Sequence, residues 1–400
     1  QNAVLGVSRA HAREMPTVLA RLVTDLEEHS GLDRKLEALP TKQQFRDMDK
    51  AGEGLTSPEL ATLLAHVKLR LKQEVLASEL PDADVFARRL PQYFPTQLQE
   101  RFGDAIPQHP LSRQITTTLL VNEVVDGGGV SYAFRLAEEM NASATDAVRA
   151  FTAVTAIFDL KDLWRRIQTL DNVVSTKVAD HMTLETRRLL DRASRWLLSN
   201  RPQPLAVGAE INRFHAVIAE LVTEVPAMLR GTELETVATA TEELVAAGAP
   251  ADLARRVASL LDCYPLLDVI EVAELADRDS LDTERSPLET AELYYALSDH
   301  LDIDSMLTAI SGLERGNRWH ALARLALRDD LYSSLRAITL DVLRQSDPGT
   351  SADEKIVNWE RSNARRISRS RESLEEIRRV GRLDLATLSV ASRQVRSMVR

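Results

Sequence analysis

Gly127, Gly128 and Gly129 stand in a row within L-V-N-E-V-V-D-G-G-G-V-S-Y-A-F-R-L, residues 120–136, in a chain with only fifteen glycines. A glycine run between an apolar segment and a helix can bring backbone N–H groups up to a phosphate. A dinucleotide loop needs G-x-G-x-x-G between a strand and a helix. Here Tyr132 occupies the third glycine's place, and residues 115–125 read as helix rather than strand. No Lys-Ser/Thr follows, as a P-loop requires. The pattern therefore predicts helix termination through an αL cap, which glycine adopts freely. An effector or nucleotide site at Gly127–Gly129 is the competing reading. Gly129-Val130-Ser131-Tyr132-Ala133 also resembles a nucleophile elbow that has lost its last glycine, but no strand precedes it.

The other chemically suggestive residues read as structural. The eight histidines (11, 29, 66, 109, 181, 215, 300 and 320) form no H-x-x-x-H or H-x-x-E-H pair, so no zinc motif is present. Asp299-His300-Leu301-Asp302-Ile303-Asp304 brings three carboxylates together as a calcium loop does, but without the central Gly or the closing Glu, and is expected to be a solvated helix start. Cys263, beside Tyr264, Leu266 and Leu267, reads as a small buried hydrophobe; one cysteine excludes an internal disulfide. Asn122 and Glu123 interrupt an apolar helix and are expected to join a hydrogen-bonded network or cap a neighbouring helix. No catalytic, cofactor-binding or metal-binding residue is assigned.

The elements that carry these residues are helical. Leu, Ala, Arg and Glu dominate, while glycine and proline number fifteen each and aromatics make up 4%. The sharpest element is G-L-T-S-P-E-L-A-T-L-L-A-H-V-K-L-R-L. Thr56 and Glu59 form a capping box, Pro58 sits in the first turn, and Leu60, Leu63, Leu64, Val67, Leu71 and Val75 make one stripe. Prolines at 91, 95, 107 and 110 cut 82–110 into short helices and turns. Helices are expected over 112–125, 130–140, 143–158, 175–198 and 208–230, with a break at Pro226. Shorter ones fill 232–312, and long ones span 317–345 and 352–380, with a last helix from Leu383. Asp277–Pro287 and Ser346–Thr350 read as loops. Period-two β-branched alternation is nearly absent, and no fixed repeat appears. The expected fold is all-α: a non-repeat multi-helix domain with two packed subdomains and a long C-terminal amphipathic helix. Its expected parts are 1–53, 54–200, 201–350 and 351–400.

Charge is unevenly spread. The net charge is −10, yet residues 355–400 hold twelve Lys plus Arg against five Asp plus Glu. Ile367, Leu374, Ile377 and Val380 give this basic segment an apolar face, so it reads as an amphipathic helix lying on an acidic body rather than as a nucleic-acid arm. No run approaches the ~20 apolar residues of a membrane span, and residues 1–10 lack a signal-peptide pattern. The first residue is Gln, which suggests a piece of a longer chain or a processed product.

Several ordered blocks resemble one family. These are L-T-S-P-E-L-A-T-L-L-A-H-V-K-L-R-L, Y-F-P-T-Q-L-Q-E-R-F (93–102), H-P-L-S-R-Q-I-T-T-T-L-L-V-N-E-V-V-D-G-G-G-V-S-Y-A-F-R-L (109–136) and E-E-M-N-A-S-A-T-D-A-V-R-A-F (138–151). They are similar to the C-terminal region of large-subunit bacterial NAD-dependent glutamate dehydrogenases, most closely over 54–170. The resemblance implies a cytoplasmic, homo-oligomeric parent enzyme that oxidises L-glutamate to 2-oxoglutarate and ammonium with NAD. In that family the catalytic lysines, the acid and the Rossmann loop lie in a central domain, so no cofactor is expected in this segment. Residues 1–53 would then be the junction with that catalytic domain, its partner in the same chain; neither nucleic acid nor membrane is implied. An independent helical adaptor, binding an acidic partner through its Arg-rich tail, is the alternative.

Overall fold

A computed structural model describes residues 2–13, 15–279, 285–313, 317–381 and 383–399. Among these residues every regular element is helical, with no strand. In chain order the α-helices are α1 (Asn2–Arg13), α2 (Pro16–Ser30), α3 (Lys42–Ala51), α4 (Ser57–Leu76), α5 (Asp84–Ala87), α6 (Thr96–Phe102), α7 (Ser112–Gly128), α8 (Tyr132–Met140), α9 (Ala144–Ile157), α10 (Leu160–Gln168) and α11 (Thr176–Asn200). There follow α12 (Val207–Leu221), α13 (Val225–Met228), α14 (Gly231–Ala246), α15 (Ala251–Ala258), α16 (Leu266–Asp279), α17 (Pro287–His300), α18 (Ile303–Gly312), α19 (Arg318–Arg344), α20 (Ala352–Ser362), α21 (Ala364–Val380) and α22 (Leu385–Arg396). Three short 3-10 turns punctuate 80–108, two of them at the expected Pro91 and Pro107 and one at Pro81.

The chain divides into two compact units, one of residues 1–215 with 247–249, the other of 216–246 with 250–400. Each is built round one helix that is buried on nearly all sides, as a helix without a polar face must be. In the first unit that helix is α9. Its small and apolar residues from Ala147 to Ile157 are buried, with only Ala156 half-exposed, and α4, α7, α8, α10 and α11 pack round it. The Ser143–Asp146 capping box starts it. In the second unit the equivalent is α17, whose Thr290 to Ser298 are buried except Glu292, with α13, α16, α18, α19 and α20 against it.

Local signals act as read at several starts. Thr56 and Glu59 form their box, and the Leu60-to-Val75 stripe is wholly buried. Ser175 caps α11, and Pro226 opens α13 after α12 has ended. Three details differ. The 352–380 segment is two helices that meet at Asn363, whose side chain donates to Gln345 Oε1 and to the Trp359 carbonyl. Asp304 in the first turn of α18 is buried rather than solvated, and burial raises its carboxyl pKa. Gly127 and Gly128 lie inside α7; only Gly129 ends it, at φ 92° and ψ 167° instead of αL. Of the expected 277–287 loop, residues 280–284 lie outside the described residues, as does the side chain of Val380. No helix among the described residues is long and apolar enough to cross a membrane.

Candidate functional site

The glycine run sits where α1, α7, α8 and α11 of the first unit meet. Each glycine answers a different neighbour. A Cβ on Gly127 would lie 2.7 Å from Trp164 Cη2 and 3.0 Å from the Phe151 ring, two stacked aromatics that form a wall beside α7. A Cβ on Gly128 would lie 2.8 Å from the Tyr132 ring. Gly129 occupies an extended positive-φ conformation that other residues scarcely adopt.

The turn delivers α8 onto α11, and the contact between them is polar and buried. Tyr132 Oη and Ser194 Oγ share a 2.7 Å hydrogen bond, and burial pushes the phenol pKa up. Arg135 Nη1 donates to Asp191 Oδ2 at 2.7 Å, and Arg195 Nε donates to Glu139 Oε2 at 2.7 Å while also pairing with Asp191. Burial works against the Asp191 carboxylate, but the charges and hydrogen bonds of Arg135 and Arg195 outweigh it and hold its pKa at about 2. This Arg135–Asp191–Arg195–Glu139 chain is balanced, two charges of each sign.

Arg187, two turns before Ser194 on α11, is different. It is 3% exposed and reaches back to α7, Nε donating to the Gly127 carbonyl and Nη2 to the Asp126 carbonyl, both at 3.0 Å. A guanidinium at the carbonyl end of a helix is well placed electrostatically. Burial, and then repulsion from Arg135, nevertheless lower its pKa to about 10. Its Nη1 is buried without a partner among the described residues. His11 on α1 approaches the same turn, and burial together with Arg187 and Arg135 holds its pKa well below the ordinary value.

Nothing in this arrangement forms a nucleophile–base pair. Ser131, the elbow-like serine, is fully buried and directs its hydroxyl to Met15 Sδ at 3.1 Å. Glu123 is a bridge, accepting from Arg89 Nη1 at 2.7 Å and Lys161 Nζ at 2.9 Å; Asn122 beside it is half-buried. Cys263 is buried in the second unit, 3.3 Å from Arg256 Nη1, and burial raises its thiol pKa. Asp299 and Asp304 of the calcium-like stretch lie near Glu233, as does Asp262. Among the described residues no group of three or more His, Cys, Asp or Glu has the geometry to hold a metal ion. Sequence pattern alone does not single out Arg187. Its one signal is an arginine on the apolar stripe of α11 with Asp191 and Arg195 at successive i+4 positions.

Residues 52–397 match the family model described as glutamate dehydrogenase, C-terminal. The chain belongs to this family. Over all 400 residues it is 50% identical to the NAD-specific glutamate dehydrogenase of Mycobacterium tuberculosis and 34% identical to that of Pseudomonas aeruginosa, in each case covering 100% of this chain and 24% of the relative. The NAD-specific glutamate dehydrogenase of Halomonas elongata is 31% identical over 94% of this chain and 23% of its own length. The chain thus spans about a quarter of the length of these curated relatives. The family match takes in α4 to α22, including the glycine turn and both central helices.

Proposed function

We propose that this chain is the non-catalytic C-terminal helical domain of an NAD-dependent glutamate dehydrogenase. The parent reaction converts L-glutamate, NAD and water to 2-oxoglutarate, ammonium and NADH. The observation that carries the reading is the family match over 52–397, joined to relatives of that activity about four times as long. In the proposal NAD binds elsewhere in the parent, residues 1–53 adjoin the catalytic domain, and the domain supports assembly or domain motion in a cytoplasmic homo-oligomer.

A surface of the first unit supports packing on other parts of the parent. Helix α6 has no buried residue, and its Leu98 and Phe102, 41% and 47% exposed, share one face. Two assays test the proposal. The purified 400-residue chain should show no glutamate-dependent NAD reduction; robust turnover overturns the non-catalytic role. Deleting residues 54–400 from the full-length parent should impair assembly or turnover, and an unchanged, fully active oligomer overturns the supporting role.

One observation favours the adaptor reading. Arg361, Arg365 and Arg369 are exposed at i, i+4, i+8 spacing on α20 and α21. Replacing all three with Glu should abolish salt-sensitive binding of an acidic partner if that reading holds.

A further inference from the structure

Arginine is the side chain least able to shed its charge, and a buried guanidinium calls for an anion. Three arginines are almost fully buried among the described residues: Arg187, Arg195 and Arg285. Arg195 pairs with Asp191 and Glu139, and Arg285 has Glu289 at 3.9 Å. Among the described residues Arg187 has no carboxylate in ion-pair range, only the two carbonyls of α7. The acids that act on it from a distance are Asp126, whose carboxylate is taken by Lys68 at 2.7 Å, and Asp180, two turns earlier on α11. Arg135 adds repulsion, and its own charge is matched by Asp191.

The nitrogen left over, Nη1, has no hydrogen-bond partner among the described residues. A Cβ built on Gly129 would lie 3.3 Å from Arg187 Nη1 and 3.3 Å from His11 Nδ1, so both nitrogens stand against the point where a side chain at 129 would begin. A neutral His11 can donate from Nδ1. Helix α8 starts three residues after Gly129 and receives no side-chain cap bond from Ser131, whose hydroxyl is spent on Met15. Its N-terminal end therefore adds a third source of positive potential.

We infer that the turn at Gly129 is a binding site for a small oxyanion, a carboxylate or phosphate group, held by Arg187 Nη1 and His11 Nδ1 beside the N-terminus of α8. Glycine at 129 serves it twice. It permits the backbone conformation, and it keeps a methyl group from standing between the two nitrogens and the anion. The recognition is by side chains over a glycine, not by a cradle of glycine amides. The site is made of this chain's own residues and stands whatever the parent enzyme does.

The test uses the 400-residue chain. Its thermal midpoint is followed against sodium phosphate, sodium malonate and sodium chloride at matched ionic strength, since a ligand that binds only the folded state raises the midpoint by mass action. Phosphate, malonate or both should raise the midpoint above the chloride curve. A response to phosphate alone identifies a phosphate group, to malonate alone a carboxylate, and to both a shared oxyanion site. Arg187→Gln, Gly129→Ala and His11→Phe should each weaken the apparent affinity about tenfold or more. If Arg187→Gln does not fold, the Gly129 and His11 variants carry the comparison, because a purely structural role lowers their midpoint without flattening its ligand dependence. The inference is overturned if both anions track chloride, if the variants respond like the wild type, or if crystals grown in phosphate and in malonate show only water at Arg187 Nη1.

Discussion

Alanine at Gly127 and alanine at Gly129 should cost stability by different amounts, and the order follows from their surroundings. Gly127 is helical, so alanine there gains about 1 kcal/mol of helix propensity. Its methyl would meet Trp164 at 2.7 Å, and Trp164 is itself stacked on Phe151, so the wall has little room to retreat. Overpacking of this kind costs about 1–3 kcal/mol, leaving Gly127→Ala destabilised by about 1 kcal/mol net. Gly129 has no helix gain to offset. Its conformation costs another residue about 1–3 kcal/mol, and the methyl adds 3.3 Å contacts with Arg187 and His11. Gly129→Ala should therefore cost about 2–3 kcal/mol.

Gly208, near the start of α12 with nothing within 4 Å of its Cβ position, is the control, and alanine there should stabilise by up to about 1 kcal/mol. Urea unfolding is the assay. Tryptophan fluorescence follows both units, with Trp164 and Trp196 in the first and Trp319 and Trp359 in the second, and far-UV circular dichroism follows the helices beside it. If Gly129→Ala matches the wild type, or Gly127→Ala stabilises as Gly208→Ala does, the account of the turn is wrong.

Three further outcomes follow from the second unit. Burial, and then the charges of Asp262, Asp304 and Asp299, raise the pKa of half-buried Glu233 from 4.5 to about 8. The stability tied to its proton is complete below the unfolded-state value and is lost as pH rises towards 8. The full shift corresponds to about 5 kcal/mol, reduced to about 2 by partial exposure. Glu233→Gln should gain on the wild type by about that much between pH 5 and 8.5 in denaturant titrations, and a pH-independent gap refutes the shift. Lys355, 1% exposed, pairs with Glu289, which also has Arg285 within 3.9 Å. Glu289→Ala strands two buried cations and should cost about 3–5 kcal/mol, whereas Lys355→Met leaves Glu289 its arginine and should cost far less; equal losses by urea unfolding count against this. Leu388→Ala in α22 should cost about 2–5 kcal/mol, while Arg396→Ala, which breaks only the half-exposed Asp330 pair, should cost under about 1 kcal/mol. Unfolding in low and high salt separates the two, and the argument fails if the arginine matters as much as the leucine.

Much of the fold was legible because helix boundaries here are written in local chemistry. Thr56 with Glu59, Pro58, Ser143 with Asp146 and Ser175 each satisfy or avoid an orphan N–H within one turn of themselves, so no distant residue is needed to read them. The break at Asn363 was not legible, and the side chain it meets there, Gln345, lies eighteen residues away on the end of α19. The burial of Asp304 likewise depends on what α18 packs against. Arg187 is the hardest case. Its partners are main-chain carbonyls sixty residues upstream, and carbonyls carry no sequence signature. The glycines advertised a special turn, while the side chain that gives the turn its chemistry looked like one more arginine in an amphipathic helix.

The basic tail shows how charge and burial divide their work. Arg366 reaches Asp341 at 3.4 Å, Arg371 reaches Glu360 at 2.5 Å and Arg396 reaches Asp330 at 2.5 Å, so part of the tail's excess charge meets acids of its own unit. All three pairs are at least partly solvated, and each such pair contributes about 1 kcal/mol or less. Ile367, Leu374, Leu388, Val395 and Met398 are buried, and each contributes about 1.5–3 kcal/mol relative to exposure. The apolar stripe therefore decides that α21 and α22 dock, and the ion pairs decide how the docked helices are turned. That ordering leaves Arg361, Arg365 and Arg369 facing outward, where a second surface can use them without undoing the fold.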